Sequence, residues 1–172
     1  MTTHKKVKDI LIPKERLIVI PERFKIRQAL KTLREGKTDK ADIQVVGFLV
    51  LGDNNELLGS LCLKEFIKGL APQFLQPVSS AQVVQENEAN LAELWDSVLE
   101  DQSRRFSEEP VSKYYAPIKT SVEPEDVITK AAYLMLFHDL TFLPVLEQKR
   151  RLVGVVTIFD VFRELSLLIM ED

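Results

Sequence analysis

The chain has 172 residues, 45% hydrophobic and 28% charged, with a formal net charge of −3 and a pI near 5.5. This length buries a good core as one domain, or as two small units that share one. The charge balance excludes a global pull toward nucleic acid or an anionic membrane, and leaves room for a local basic pocket that holds a small anion.

The N-terminus "MTTHKKVKDI" has a basic start and no apolar stretch behind it, so no signal peptide is expected. Nor does any later apolar run approach the ~20 residues of a membrane span. The expectation is a cytoplasmic protein away from the membrane. Residues 17–35, "LIVIPERFKIRQALKTLRE", run from an extended segment through Pro21 into a helix, with Ile26, Ala29, Leu30 and Leu33 at helical spacing. Proline fits a first helical turn, where its missing N–H has no partner anyway. "GKTDKADI" (36–43) reads as a polar loop. "VVGFLVLGDNNELLGSL" (45–61) is strand, turn, strand, with Gly52, Asp53, Asn54 and Asn55 as the turn. A short amphipathic helix, "LKEFIKGL" (63–70), follows.

Residues 71–110 interrupt this pattern. Pro72, Pro77, Ser79 and Ser80 mark a loop. Leu91, Leu94, Trp95, Val98 and Leu99 then predict a helix over roughly 86–105, with boundaries good to about two to four residues. Its apolar stripe either covers the rest of the protein or forms part of a homodimer interface, since aromatics favour interface cores.

The opening pattern then returns. "TSVEPEDVITKAAYLMLFHD" (120–139) passes Pro124 into a helix carrying Val127, Ile128, Ala131, Ala132, Met135 and Leu136. Ala29 and Ala132 both lie eight residues after their proline. "TFLPVLEQKRRLVGVV" (141–156) is a second hairpin, turning at Glu147 to Arg150, with "QKRR" as a solvated tip. "IFDVFRELSLLIM" (158–170) is a second closing helix. Each copy is therefore β–α–β–β–α, about 60 residues, too small to be comfortable alone. The expected architecture is α/β (α+β), two repeats packed sheet to sheet around a helical insertion. The expected divisions are 1–70, 71–110 and 111–172.

Chemistry concentrates where the second hairpin meets its helix, in "GVVTIFD" (154–160). Thr157 and Asp160 approximate a capping box, worth about 1 kcal/mol without any ligand. They also suit a nucleoside: a carboxylate accepts charge-assisted hydrogen bonds from vicinal ribose hydroxyls, and a threonine hydroxyl bonds ribose or phosphate. The first copy reads "GSLCLKE" (59–65), with Cys62 for the threonine and Glu65 for the aspartate. A thiol is a weak donor and glutamate's carboxylate is displaced by a methylene, so this position is expected to be degenerate, with Cys62 a small hydrophobe. Phosphates need cations, for which Lys119, Arg163, Arg23 and Arg27 are candidates. His138 ends a helix whose dipole favours a cation; a phosphate contact is its other reading. Cys62 is the lone cysteine, and His4 and His138 are the two histidines, so neither an intrachain disulfide nor a dedicated metal site is expected.

This arrangement resembles a tandem pair of cystathionine-β-synthase (CBS) domains, the unit often called a Bateman module. "VSKYYAP…TSVEPEDVITKAAYLML" is similar to that family's opening segment. "LTFLPVLEQKRRLVGVVTIFDVFREL" is similar to its closing signature: Leu-Pro-Val, a polar turn, Leu-Val-Gly, branched residues, Thr, then Asp. The first copy, "FLVLGDNNELLGSLCLKEFIKGL", lacks the proline, threonine and aspartate. The resemblance implies a regulatory, non-catalytic module that needs no cofactor. It implies AMP, ADP, ATP or S-adenosylmethionine bound in clefts between the repeats, with the ribose and phosphate contacts at Thr157 and Asp160. The adenine slot then falls at Thr120, Ser121, Val122 and Pro144. Pairs of such modules often assemble into a flat disc, and usually control an attached enzyme, transporter or channel. No such domain is recognisable in these residues, so a stand-alone pair or a piece of a larger protein is expected. Partners are then an adenosyl ligand, a second copy and a regulated protein. A ligand-free structural or dimerisation module is the alternative. An enzyme is not expected, since there is no Ser-His-Asp set, metal cluster or Gly-rich phosphate loop.

Overall fold

A computed structural model describes residues 5–35, 46–72 and 88–170. The expected loop at 36–43, the residues Pro77, Ser79 and Ser80, and His4 lie outside them. In chain order the elements are β1 (Ile12–Pro13), β2 (Ile18–Pro21), α1 (Ile26–Glu35), β3 (Phe48–Leu51), β4 (Leu57–Leu61), α2 (Leu63–Leu70), α3 (Glu88–Glu108), β5 (Ala116–Pro117), α4 (Ile128–His138), β6 (Phe142–Glu147), β7 (Arg151–Thr157) and α5 (Ile158–Met170). Among the described residues no helix is long and apolar enough to cross a membrane.

Two sheets form. One has the order β2-β3-β4-β5 and the other β1-β7-β6. Both hairpins slip register at the same place: Val50 faces Gly59 and Leu51 faces Leu57, while Val145 faces Gly154 and Leu146 faces Leu152. A shared bulge at matching positions is the mark of a duplicated unit. Ile18–Pro21 pairs in parallel with β3, and its counterpart in the second repeat is the single parallel bridge between Val122 and Val145.

The repeats exchange their opening segments. β1 pairs with β7 of the second repeat, and β5 pairs with β4 of the first. The 3-10 turn Val7–Asp9 docks on the second repeat, where Val7 N donates to Asp126 O at 2.8 Å and Ile128 N to Lys5 O at 3.1 Å. The turn Val111–Lys113 docks on the first in the same manner, with Val111 N to Phe24 O at 2.7 Å and Ile26 N to Glu109 O at 2.9 Å. Each strap needs a glycine beneath it. A Cβ at Gly154 would overlap the Ile12 carbonyl, and one at Gly59 the Ala116 carbonyl.

These equivalences correct the alignment through the prolines. Ile26 matches Ile128, so Ala29 matches Ala131, and both are fully buried. Neither proline is in a first helical turn. Pro21 closes β2, and Pro124 lies in a turn where its carbonyl accepts the Lys8 N–H at 2.9 Å. The turn takes the proline because its carbonyl, not its missing N–H, is what the strap uses.

Three apolar clusters lie among the described residues. One lies under α4 and α5 (Val122, Ile128, Met135, Leu143), and one under α1, α2 and α3 (Ile20, Phe48, Phe66, Phe106). The third lies between the sheets, where Leu49 and Val46 meet Leu152 and Val155. Each such side chain stabilises by roughly 1.5–3 kcal/mol on full burial, so the shared layer binds the repeats into one body. α3 ends three residues beyond the predicted boundary. Its last turns are held by Phe106, whose ring meets Phe66 at 6.3 Å and Tyr114 at 4.8 Å and fills the notch at Gly69.

Candidate functional site

At the start of α5 the Thr157 and Asp160 side chains bond each other. Asp160 N donates to Thr157 Oγ1 at 3.2 Å, Thr157 N to Asp160 Oδ2 at 3.1 Å, and Thr157 Oγ1 to the same Oδ2 at 2.6 Å. This is a complete capping box, with both residues buried. Asp160 Oδ1 faces Arg163 Nη2 at 3.8 Å. The first copy keeps the box with a thiol in place of the hydroxyl: the Cys62 side chain faces the Glu65 N–H, Cys62 N donates to Glu65 Oε2 at 3.0 Å, and the thiol donates to Val46 O at 3.3 Å. Burial pushes that thiol's pKa up.

Between the repeats lies a cavity of about 360 Å³, within the range of small-molecule sites. One wall is the strap from Ala116 to Thr120. The facing wall is the corner from His138 to Phe142, with Pro144, and Ser60 of β4 adds a buried hydroxyl. Apolar and polar groups are segregated in kind: Pro117, Ile118, Leu140, Phe142 and Pro144 offer surface for a flat ring. Lys119, Thr120, His138, Asp139 and Thr141 offer charge and hydrogen bonds. The corner is sharp because Asp139 adopts left-handed φ of 53° after the helix and its N–H bonds Met135 O. The His138 ring rests edge-on against Phe137 at 4.9 Å.

The structure brings Lys119, Thr120 and Pro144 to this cavity. Val122 points into the core instead, and its backbone is engaged on both sides by β6, N to Pro144 O at 3.1 Å and O from Leu146 N at 2.9 Å. Ser121 is half-buried beside it and, with Arg163, Thr157 and Asp160, is outside the lining. The capping pair nevertheless adjoins the same wall: Thr157 is the cross-strand partner of Phe142, and Ile158 N donates to Thr141 O at 2.8 Å. Arg23 and Arg27 do not reach across. Arg23 pairs with Asp53 at 3.3 Å and Arg27 with Glu108 at 2.9 Å, within the first repeat. The counterpart corner in the first copy falls at residues 36–45, outside those described.

Sequence reasoning missed Ser60, Ala116, Pro117, Ile118 and most of the 138–142 corner. The exchange of straps is what places them together, and a two-residue strand leaves no periodic signal. His138 was visible as a helix end, with a phosphate contact as its other reading.

The sequence profile of the CBS domain matches residues 7–72 and 111–167. Among curated protein sequences none matches this chain. Solved structures do. The CBS-pair protein CBSX2 from Arabidopsis thaliana is 21% identical with a TM-score of 0.63, the alignment covering 99% of each chain. CBSX2 solved in complex with AMP gives 22% and 0.60, covering 96% of this chain and 98% of that one. A CBS domain pair solved with 5′-methylthioadenosine and S-adenosyl-L-methionine gives 17% and 0.60, covering 95% and 98%. At such identities the likeness is one of fold. With the domain matched twice over most of its length, the chain belongs to the CBS domain family.

Proposed function

We propose that this chain is a non-catalytic regulatory module of the cytoplasm that binds an adenosine-containing ligand, AMP, ADP, ATP or S-adenosylmethionine, in the cavity between its repeats. The cavity carries the reading, because it pairs an apolar slot with convergent polar groups at the junction of the two copies. Pro117, Ile118, Phe142 and Pro144 take the adenine ring. Asp160 Oδ1 and Thr157 hold the ribose from the adjoining helix start. Lys119 and His138 take the negative end of the ligand. Solved relatives with AMP and with S-adenosyl-L-methionine support this ligand class. Binding energy that favours one packing of the two repeats is what a regulated partner reads. The degenerate junction at Cys62 and Glu65 leaves one such ligand per chain.

The completed Thr157–Asp160 box favours a second reading, a ligand-free structural or protein-interaction pair, since both groups are satisfied without a ligand. Thermal melts separate the two. At a hundredfold excess over Kd, a ligand specific for the native state stabilises by about 2.7 kcal/mol, roughly 5–10 °C in Tm for a chain of this size. At least one of AMP, ATP and S-adenosylmethionine is expected to give that shift. No shift with any of them, at millimolar concentration, favours the ligand-free reading.

A further inference from the structure

A second cavity, of about 380 Å³, opens where α3 meets the end of α2 on the first repeat. It is lined by Pro72, Gln102, Arg105, Phe106, Glu109 and Tyr114, and shares no residue with the cavity between the repeats. Gln102, Arg105, Phe106 and Glu109 fall at i, i+3, i+4 and i+7, so one face of the last turns of α3 supplies most of the wall. Phe106 roots that face in the core, and the Tyr114 ring stands edge-on to it at 4.8 Å.

Most charges around this face are paired. Arg104 pairs with Glu100, Lys25 and Arg27 pair with Glu108, and Lys113 pairs with Glu109. Arg105 differs. It stands four residues before Glu109, a spacing at which opposite charges on a helix meet, yet it is exposed at the cavity and takes no carboxylate among the described residues. Glu109 commits only Oε2, to Lys113, and Gln102 commits its Nε2 to the Gly69 carbonyl at 3.5 Å. Each is left with Oε1 as an acceptor. Burial and the Glu109 carboxylate both push the Tyr114 hydroxyl's pKa up, so it remains a donor. The cavity thus offers donors at Arg105 and Tyr114, and acceptors at Glu109 and Gln102.

We infer that this cavity binds a free α-amino acid, its carboxylate on Arg105 and Tyr114 and its ammonium group on Glu109 and Gln102. A guanidinium fork matches a carboxylate with two parallel bonds. An ammonium group donates three protons and accepts none, which suits the two Oε1 atoms. Charge balance argues the same way. Within the lining Arg105 and Glu109 cancel, so a zwitterion is matched. A nucleotide phosphate meets a single guanidinium there, and the Glu109 carboxylate opposes it. Pro72 and the Tyr114 ring give the amino-acid side chain an apolar rest, and the volume is that of a small-molecule site. This site stands apart from the proposed adenosyl site and does not depend on it.

Amide NMR of the full chain, titrated with pools of the standard amino acids, tests this. At least one pool is expected to shift the amides of Gln102, Arg105 and Tyr114 saturably at millimolar concentration. The amino acid responsible is expected to bind Arg105→Gln roughly tenfold more weakly or worse, and Arg105→Ala gives the same reading should the first variant disturb folding. Glu109→Gln is expected to weaken it likewise, and Thr141→Trp, which fills the cavity between the repeats, to leave it unchanged. The inference is overturned if no pool shifts these amides, if the shifts persist in both Arg105 variants or in Glu109→Gln at unchanged affinity, if Thr141→Trp abolishes them, or if acetate or inorganic phosphate alone reproduces them.

Discussion

Asp160 spends one carboxylate oxygen on its own helix. Oδ2 accepts both the Thr157 amide and hydroxyl, and Oδ1 is turned toward Arg163. Capping thus uses one oxygen and leaves the other for the ligand contact proposed above. Asp160→Ala is expected to lower stability by about 1 kcal/mol, a drop of roughly 2–4 °C in Tm. Under the proposed function it also weakens AMP at least tenfold, because a charge-assisted bond contributes about 1.5–3 kcal/mol. Calorimetric titration of the variant separates the two roles, since a lower Tm with unchanged affinity confines Asp160 to the cap. Thr-x-x-Asp was legible in the sequence, as was its weaker echo at Cys62 and Glu65. What distinguished the oxygens was not, because it depends on where Thr157 Oγ1 and Arg163 sit around the carboxylate.

The exchanged straps are the elements that build the cavity and tie the repeats together. The N-terminal one is fastened by Glu125, which accepts from Lys6 and, at 2.6 Å, from Lys8. Those two ammonium groups hold its carboxyl down at about 2, below the ordinary 4.5. A depressed folded value means the tie is complete above about 4.5 and is lost as pH falls through that window toward 2. All three groups are exposed, so the effect is small and weakens with salt. Hydrogen exchange at the Val7 and Lys8 amides, corrected for intrinsic rates, is expected to accelerate across that window relative to β3. Glu125→Gln is expected to remove the step, and an unchanged profile in that variant argues that the strap is held by its backbone bonds and Val7 alone. The hairpins and their helices were legible because period-2 and period-3.6 patterns are long enough to read. β1 and β5 were not: at two residues each they carry no pattern, and their partners are far away in the chain.

At the scale of the molecule, duplication explains the most. Sheet-to-sheet packing follows from two apolar faces too small to fold apart, and it was readable from the ordered match of proline, alanine, hairpin, glycine and helix. The proline match itself was one residue out, because side-chain identity and backbone equivalence diverge at Pro21 and Pro124. The inserted helix resolves into a cover for the first repeat at its C-terminal half, where Phe106 is buried, while Leu94 stays 52% exposed. The copies differ at their helix starts, a hydroxyl and an aspartate in the second repeat against a thiol and a glutamate in the first, and the proposed function places the ligand at the second.

The most direct test of ligand binding between the repeats is calorimetric titration of AMP, ATP and S-adenosylmethionine into the wild type and into Thr141→Trp. Thr141 is exposed on the cavity wall, so the indole fills the space without entering the core. Binding of at least one compound at one per chain, abolished in Thr141→Trp with its melting temperature kept, is the expected result. Binding that survives the indole, or none of the three binding the wild type, would contradict it.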